Sequence, residues 1–294
     1  LNFIDKQGSR FPALQVRKKA EAVELMRDGE RVTGVVAKTD QGPVHITADL
    51  TVACDGRHSL MREQAGMVVE DIGAPMDVLW FKVGKPEGST DGVFARIQSG
   101  QMMVMLDRTD YWQCAYVIAK NGYEKVKEGG LEQFRANIVR LAPLTREHIA
   151  DVKSWDDVKL LSVQIDRLTQ WAKPGFLCIG DAAHAMSPVG GVGVNLAIQD
   201  AVAAANILCE PMLRGESPDR YLVQVQERRM LPVRMIQGMQ RIVHRNVIGA
   251  ALGNRAVKPP LALRLLDRFA LLQRIPARVL GLGVRREHIR SPSI

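Results

Sequence analysis

The sequence predicts an α/β fold in which one domain is interrupted by a second, mixed-sheet domain and followed by a helical C-terminal region. Three observations carry this reading. Short β-rich runs cut by turn residues precede Asp55. Longer strands and one helix fill residues 72–153. The apolar run "GFLCIG" at 175–180 then leads directly into a glycine-rich loop and a helix. Strand, loop and helix in that order are the repeating unit of open α/β sheets. The expected division is therefore 1–71, 72–153, 154–210 and 211–294.

Each element has a local reason. In "LQVRKKAEAVELMRDGERVTGVVAKTDQGPVHITADLTVACDG", Val32–Ala37 and Val44–Ile46 are β-rich, and "RDGER" and "DQGP" read as hairpin turns. The last run, "ADLTVAC", stops at Asp55-Gly56, where open α/β sheets place ligands. "DVLWFKV", "VFARIQ", "QMMVML" and "WQCAYVIAK" predict four strands between residues 76 and 120. Leu131, Phe134, Ile138 and Leu141 have helical spacing. "VKLLSVQIDRLTQW" reads as one returning strand, and a helix is expected from about Gly193 to Cys209. Beyond Glu210 the text is helical and broken by prolines at 211, 218, 232, 259, 260 and 276. There Val233, Ile236, Met239, Val243 and Val247 form an apolar stripe, with Arg234, Gln237, Arg241 and Arg245 opposite.

Composition bounds the classes. With 294 residues, 46% hydrophobic and 24% charged, the chain can fill two packed cores. No apolar run reaches the length of a membrane span and no signal peptide opens the chain. The opening "LNFIDKQGSRFP" reads like the interior of a longer protein. Cys54, Cys114, Cys178 and Cys209 form no C-x-x-C pair, so reduced thiols and a cytoplasmic location are expected. Residues 211–294 hold 16 Lys/Arg against 5 Asp/Glu, a charge of +11, whereas residues 1–210 hold 24 against 27. Two readings follow for this basic region. Its helices touch an anionic membrane surface at the periphery, or they pack their apolar stripe on the rest of the protein. The stretch around Leu261, Leu265, Phe269 and Leu272, beside Arg264 and Arg268, carries the first reading. No nucleic-acid-binding motif accompanies the charge, so no nucleic-acid partner is expected.

Two stretches carry chemistry. "GDAAHAMSPVGGVGVNLAIQDA" runs from Gly180 to Ala201. A buried strand delivers Asp181 at its end, where a carboxylate can accept hydrogen bonds from a sugar diol. Pro188 stiffens the loop, and Gly190, Gly191 and Gly193 let a ligand touch the backbone. The helix that follows offers free N–H groups and a partial positive charge. The second stretch, "CDGRHSLMREQAG", reads D-G-x-x-S-x-x-R. Asp55-Gly56 turns the chain, Ser59 caps the next helix, and Arg62 stands one turn on, within reach of a pyrophosphate. The Gly180–Ala201 stretch has no nucleophile–base pair and no metal-ligand spacing. The arrangement fits a large, flat, partly anionic cofactor that itself does the chemistry, so no side chain is assigned a catalytic role and no metal is expected.

Together, Asp55-Gly56-x-x-Ser59-x-x-Arg62 and Gly180-Asp181-Ala182-Ala183-His184 through Asn195 and Asp200-Ala201 resemble the FAD-dependent aromatic hydroxylases, the single-component flavoprotein monooxygenases. The pattern is also similar to ubiquinone-biosynthesis hydroxylases. The resemblance implies a Rossmann-like FAD-binding domain, incomplete at its N-terminus, interrupted by the substrate domain. It implies that Asp181 binds ribityl or ribose hydroxyls and that the backbone of Gly193, Val194 and Asn195 faces the pyrimidine side of the flavin. Pro188 would lie near the reactive flavin carbon, and Asp55-Gly56 would serve FAD and the nicotinamide cofactor. The implied reaction uses NADH or NADPH and O2 to hydroxylate an aromatic or quinone-like small molecule. The family's opening strand–G-x-G-x-x-G is missing: "GGVGVN" follows the wrong element, and "GLG" at 281–283 lies among helices. An upstream segment carrying it is therefore expected. The rival readings are a flavin reductase or dehydrogenase of the same fold, a truncated flavin-free remnant, and a halogenase, whose W-x-W-x-I-P signature is absent.

Single residues divide less cleanly. His184 is expected to be structural and to pack under the cofactor. Arg167 is expected at the surface, with a carboxylate or pyrophosphate as the alternative partner. Trp80, Tyr111, Trp112 and Tyr116, with Met102, Met103 and Met105, either line a pocket or fill a core.

Overall fold

The computed structural model describes residues 2–86, 88, 92–98, 100–248, 278 and 281–292. A short helix α1 (Asn2–Gly8) leads to an antiparallel meander of β1 (Glu21–Asp28), β2 (Arg31–Thr39) and β3 (Gly42–Thr47). Its register places Leu25 opposite Val35, and Val35 opposite Ile46. Next come β4 (Thr51–Ala53), α2 (Leu60–Gln64) and β5 (Val69–Asp71). The second domain supplies β6 (Met76–Gly84), β7 (Val93–Gln98), β8 (Gln101–Asp107) and β9 (Tyr111–Ala119), then α3 (Tyr123–Glu128) and α4 (Leu131–Leu141). The chain returns through β10 (Lys159–Leu161), β11 (Asp166–Leu168), β12 (Ala172–Lys173) and β13 (Phe176–Cys178), and ends its described core with the long helices α5 (Gly193–Leu213) and α6 (Leu222–Val243).

Two sheets position the site. In one, β13 pairs in parallel with β4, with Phe176 opposite Thr51 and Cys178 opposite Ala53, and β12 pairs antiparallel on the far side of β13. In the other, the order is β10-β6-β9-β8-β7. Successive side chains of a strand point to opposite faces. One face of the five-stranded sheet packs Leu79, Phe81, Met103, Met105, Trp112 and Tyr116 against Phe134 and Ile138 of α4. The opposite face presents Met76, Val78, Trp80, Met102, Val104, Ala115 and Val117 toward Val189 and Val163 of the returning segment. Trp112, Tyr116, Met103 and Met105 are thus core residues, while Trp80 and Met102 lie on the face that meets the first domain.

Four expectations change. "VKLLSVQIDRLTQW" forms two strands, because β10 pairs with β6 while β11 pairs with β5. The five-stranded sheet therefore runs past residue 153, to Leu161. Pro211 and Pro232 do not end helices but sit inside α5 and α6. A helical proline costs about 3 kcal/mol, and at Pro232 the burial of Val225, Val233 and Ile236 in the core offsets it. Gln237, read as solvent-facing, is buried and donates to the carbonyls of Asp166 and Ala185. Finally, α5 is the one helix among the described residues long and apolar enough to cross a membrane. It packs along α6 instead and buries Asp200. The apolar stripe at Val233, Ile236 and Met239 also turns into the core. Leu261, Leu265, Phe269 and Leu272 lie outside the described residues.

Candidate functional site

The parallel pairing of β4 with β13 puts the ends of both strands at one edge of the sheet, with the Ile179 amide donating to the Ala53 carbonyl at 3.1 Å. Asp55-Gly56 and Gly180-Asp181 leave that edge side by side, although more than a hundred residues separate them in the chain. Ligands bind outside the carboxyl ends of parallel strands because the chain there is free to form loops instead of ladder bonds.

The first loop is held by its own polar groups. Gly56 has φ +90°, a left-handed turn that favours glycine. Ser59 caps α2 by accepting from the Arg62 amide at 3.0 Å, and Asp55 accepts from the Met61 amide at 3.2 Å. Arg62 differs from its expected placement. Its guanidinium donates to the carbonyls of Ala182 (3.2 Å) and Arg57 (2.6 Å) and lies 3.5 Å from Asp166 Oδ2. Those donors do not stand open to a pyrophosphate here: a largely buried cation needs protein acceptors, and Arg62 joins the two loops to each other.

The second loop is held from below. Gly180 has φ +60°, and a Cβ there would come within 3.0 Å of Ala197 Cβ. Its amide donates to Asp200 Oδ2 at 3.1 Å. The same oxygen lies 2.6 Å from His184 Nε2, and Arg229 Nε donates to Asp200 Oδ1 at 2.9 Å. Arg229 reaches Glu287 at 3.4 Å, and Arg228 pairs with Glu287 at 2.6 Å. His184 is buried, with its ring tilted 37° to that of Trp171 and the centroids 5.0 Å apart. Its contacts are to Asp200 and Trp171. Asp200 and Arg229 were not singled out, although Asp200-Ala201 was part of the motif; an acid on the buried stripe of an apolar helix was the available signal.

The upper surface is open. Gly190 and Gly191 are exposed with φ +86° and +62°, and a Cβ on Gly191 would meet nothing within 4 Å. Pro188 lies between Ser187 and Val189, whose carbonyls both accept from Gln240 at 2.9 Å. α5 starts at Gly193 with no side-chain cap, and its first bonded amide is that of Leu196, donating to Val192. The amides of Gly193, Val194 and Asn195 therefore precede the helical ladder, and Val194 and Asn195 are exposed. Asp181 stands beside this end: its Oδ1 would lie 3.9 Å from a Cβ on Gly193. Its carboxylate is one-third exposed and meets Arg57 at 3.4 Å. Arg57 occupies the third place of D-G-R-H-S, where a cation beside the turn is the signal for this contact. Arg167, expected at the surface, is instead half-buried and makes the alternative contact, a two-pronged pair with the Glu70 carboxylate at 2.8 Å.

These residues fit a flavin nucleotide. An uncapped helix end beside open glycine backbone can receive an electron-rich carbonyl edge, and an accessible carboxylate can accept hydroxyl donors.

Comparison with known proteins agrees. The 6-methylpretetramide 4-monooxygenase of Streptomyces rimosus is 32% identical over 255 residues, which cover 86% of this chain and 59% of that protein. The 3-demethoxyubiquinol 3-hydroxylase of Escherichia coli is 23% identical over 188 residues, covering 63% of this chain and 47% of that protein. The chain thus spans about half the length of these curated relatives. The fold matches the solved structure of anhydrotetracycline hydroxylase from Streptomyces rimosus with a TM-score of 0.67 and 18% identity, over 93% of this chain and 54% of that one. The profile of the FAD-binding domain matches residues 3–238, and the chain belongs to that FAD-binding domain family.

Proposed function

We propose that the protein carrying this chain is an FAD-dependent monooxygenase that hydroxylates an aromatic or quinone-like small molecule in the cytoplasm, with NADH or NADPH as reductant and O2 as oxygen source. The observation that carries this is the position of the Pro188 loop. It joins the open start of α5 to the apolar face of the five-stranded sheet, because Val189 packs beside Met76, Val78, Ala115 and Val117. A cofactor at one side of that loop and an apolar substrate at the other would be neighbours. The names of the relatives, a monooxygenase and a hydroxylase of ring compounds, support the same reading.

When bound, FAD would take electrons from the nicotinamide and pass them to O2. The chain's own part is binding, orientation and exclusion of water. Asp181 accepts hydrogen bonds from cofactor hydroxyls. The free amides of Gly193, Val194 and Asn195 favour negative charge at the pyrimidine edge, because a helix start carries about half a positive charge. Gln240 and His244 hold the Pro188 loop from α6 and the turn after it. The sheet face keeps the ring system dry.

Turnover under ¹⁸O2 with product mass analysis tests this. One labelled oxygen atom per product is expected. Turnover without label would replace the reading by a reductase of the same fold. A purified protein that neither carries nor binds flavin would replace it by an inactive remnant.

A further inference from the structure

The C-terminal segment 283–291 lies against α5 and α6, and two kinds of contact hold it there. Asn206 of α5 binds its backbone: Nδ2 donates to the His288 carbonyl at 2.8 Å, and Oδ1 accepts the amides of Arg290 and Ser291 at 2.7 and 3.0 Å. Glu287 brings a charge. Its side chain is 1% exposed and meets Arg228 Nε at 2.6 Å and Arg229 Nη1 at 3.4 Å. Gly283 permits the close approach, since a Cβ there would come within 2.9 Å of Gln199 Nε2.

The inner end of this contact is Arg229, whose side chain is fully buried. Each nitrogen of its guanidinium is engaged. Nε donates to Asp200 Oδ1 at 2.9 Å, and Nη2 donates to Gln199 Oε1 at 3.3 Å. Nη1 donates to the Arg285 carbonyl at 3.3 Å and to Glu287 Oε1 at 3.4 Å, so among the described residues both of its acceptors come from the C-terminal segment. Arg228 and Arg229 are thus balanced by Asp200 and Glu287 in one cluster. A buried cation that loses its acceptors must move toward water or pull on the partner it retains. That partner is Asp200, whose other oxygen accepts the Gly180 amide at 3.1 Å, one residue before Asp181. Only two side chains, Arg229 and Asp200, separate Glu287 from the loop, and neither is exposed.

We propose that the C-terminal segment latches the candidate flavin loop: Glu287 is a positioning residue that, through Arg229 and Asp200, fixes Gly180 and so the place of Asp181. The latch rests on the FAD reading for what the loop binds, but the link between segment and loop exists without the cofactor. With the segment docked, Arg229 is held on Asp200, and Asp200 is held on the Gly180 amide. With the segment released, Arg229 Nη1 turns to water and the loop loses its fixed floor. Binding of FAD by a loop that must first be ordered then favours docking of the segment, because coupling between two sites is reciprocal.

The test is hydrogen exchange on the full chain, read by mass spectrometry and first without flavin. The amides of Gly180, Ala183 and His184 are hydrogen-bonded and report on the loop, while those of the paired strands β8 and β9 report on the fold at large. Glu287→Gln keeps the shape and removes the charge. It is expected to speed exchange in 283–291 and, by about tenfold, at 180–184, with β8 and β9 unchanged. Glu287→Asp keeps the charge and should retain most of the protection. Asn206→Ala frees the same segment without touching the charged cluster, and should loosen the loop too. FAD titration reads the consequence: affinity about tenfold weaker in Glu287→Gln, and slower exchange of 283–291 in the unsubstituted protein saturated with FAD. Faster exchange of the segment with the loop unchanged would overturn the proposal by breaking the link. Equal acceleration of the loop and of β8 and β9 would overturn it by reducing Glu287 to general stability. A protein that takes up no FAD yet shows the exchange link loses the flavin reading of the loop and keeps the latch.

Discussion

His184 Nε2 lies 2.6 Å from Asp200 Oδ2, with both side chains buried. The contact anchors the floor of the candidate flavin loop, because the same oxygen accepts the Gly180 amide. Arg229 and Glu287 extend the arrangement to the C-terminal segment.

Asp200→Asn keeps the shape and removes the charge that Arg229 meets inside the protein. Breaking one member of a buried pair costs about 3–5 kcal/mol, and urea denaturation at pH 7 should show a loss of that size. Burial raises the Asp200 carboxyl, but His184 and Arg229 outweigh it and leave the carboxyl below the ordinary range. A depressed folded value stabilises the protein above the unfolded pKa and is lost as pH falls through the folded one. The unsubstituted protein should therefore lose this contribution below about pH 4, and the variant should lack that part of the acid dependence.

His244 has the opposite chemistry and the same direction. Burial lowers its pKa, and its Nε2 lies 2.9 Å from Ser187 Oγ beside the Pro188 loop. A base held neutral in the fold stabilises fully above its unfolded pKa, about 6.5. As pH falls below that value the unfolded chain takes up the proton first, and stability is lost down to the folded pKa. The denaturation midpoint should fall between pH 7.5 and 5.5, and His244→Gln should flatten that slope. An unchanged slope would remove His244 as its origin.

Gly180→Ala should lower both stability and flavin affinity. Its φ of +60° is strained for a side chain, and the added methyl meets Ala197 at 3.0 Å. The backbone alone costs about 1–2 kcal/mol. Gly191→Ala, with φ +62° and open space around it, carries the backbone cost without the clash. Denaturation of both variants separates the two contributions: Gly180→Ala should be the less stable.

Asp181→Ala is expected to weaken FAD binding by one to a few decades in a flavin fluorescence titration. Charge-assisted hydrogen bonds to cofactor hydroxyls contribute about 1.5–3 kcal/mol each. Unchanged affinity would contradict the role proposed for the carboxylate.

The +11 charge of residues 211–294 supports the proposal that this region contacts an anionic membrane surface. Co-sedimentation with anionic but not neutral liposomes, weakened by salt, is the expected result. Absence of binding at low salt would leave the basic residues as solvated surface.

Much of this protein was legible in its sequence because the signals were local. Strands β6 to β9 followed from β-rich runs between turns, and α4 from the spacing of Leu131, Phe134, Ile138 and Leu141. The Ser59 cap and the open glycine backbone at 190–193 followed from residue types whose conformations are intrinsic. Alternation along β9 likewise separated Tyr111 from Trp112, but not which of them faces a core, since that depends on where α4 lands. Tertiary structure alone decided the relations between distant segments. It paired β4 with β13 and brought Asp55-Gly56 beside Gly180-Asp181. It gave β10 to the sheet of β6 and carried that sheet past residue 153. It turned Arg62 onto Ala182 and Asp166, and it placed Glu287 against Arg228 and Arg229 beneath the loop. The physical reason is common to all four. A turn or cap is satisfied by atoms a few residues away, whereas a strand edge or a buried charge is satisfied by whatever partner the whole chain brings to it.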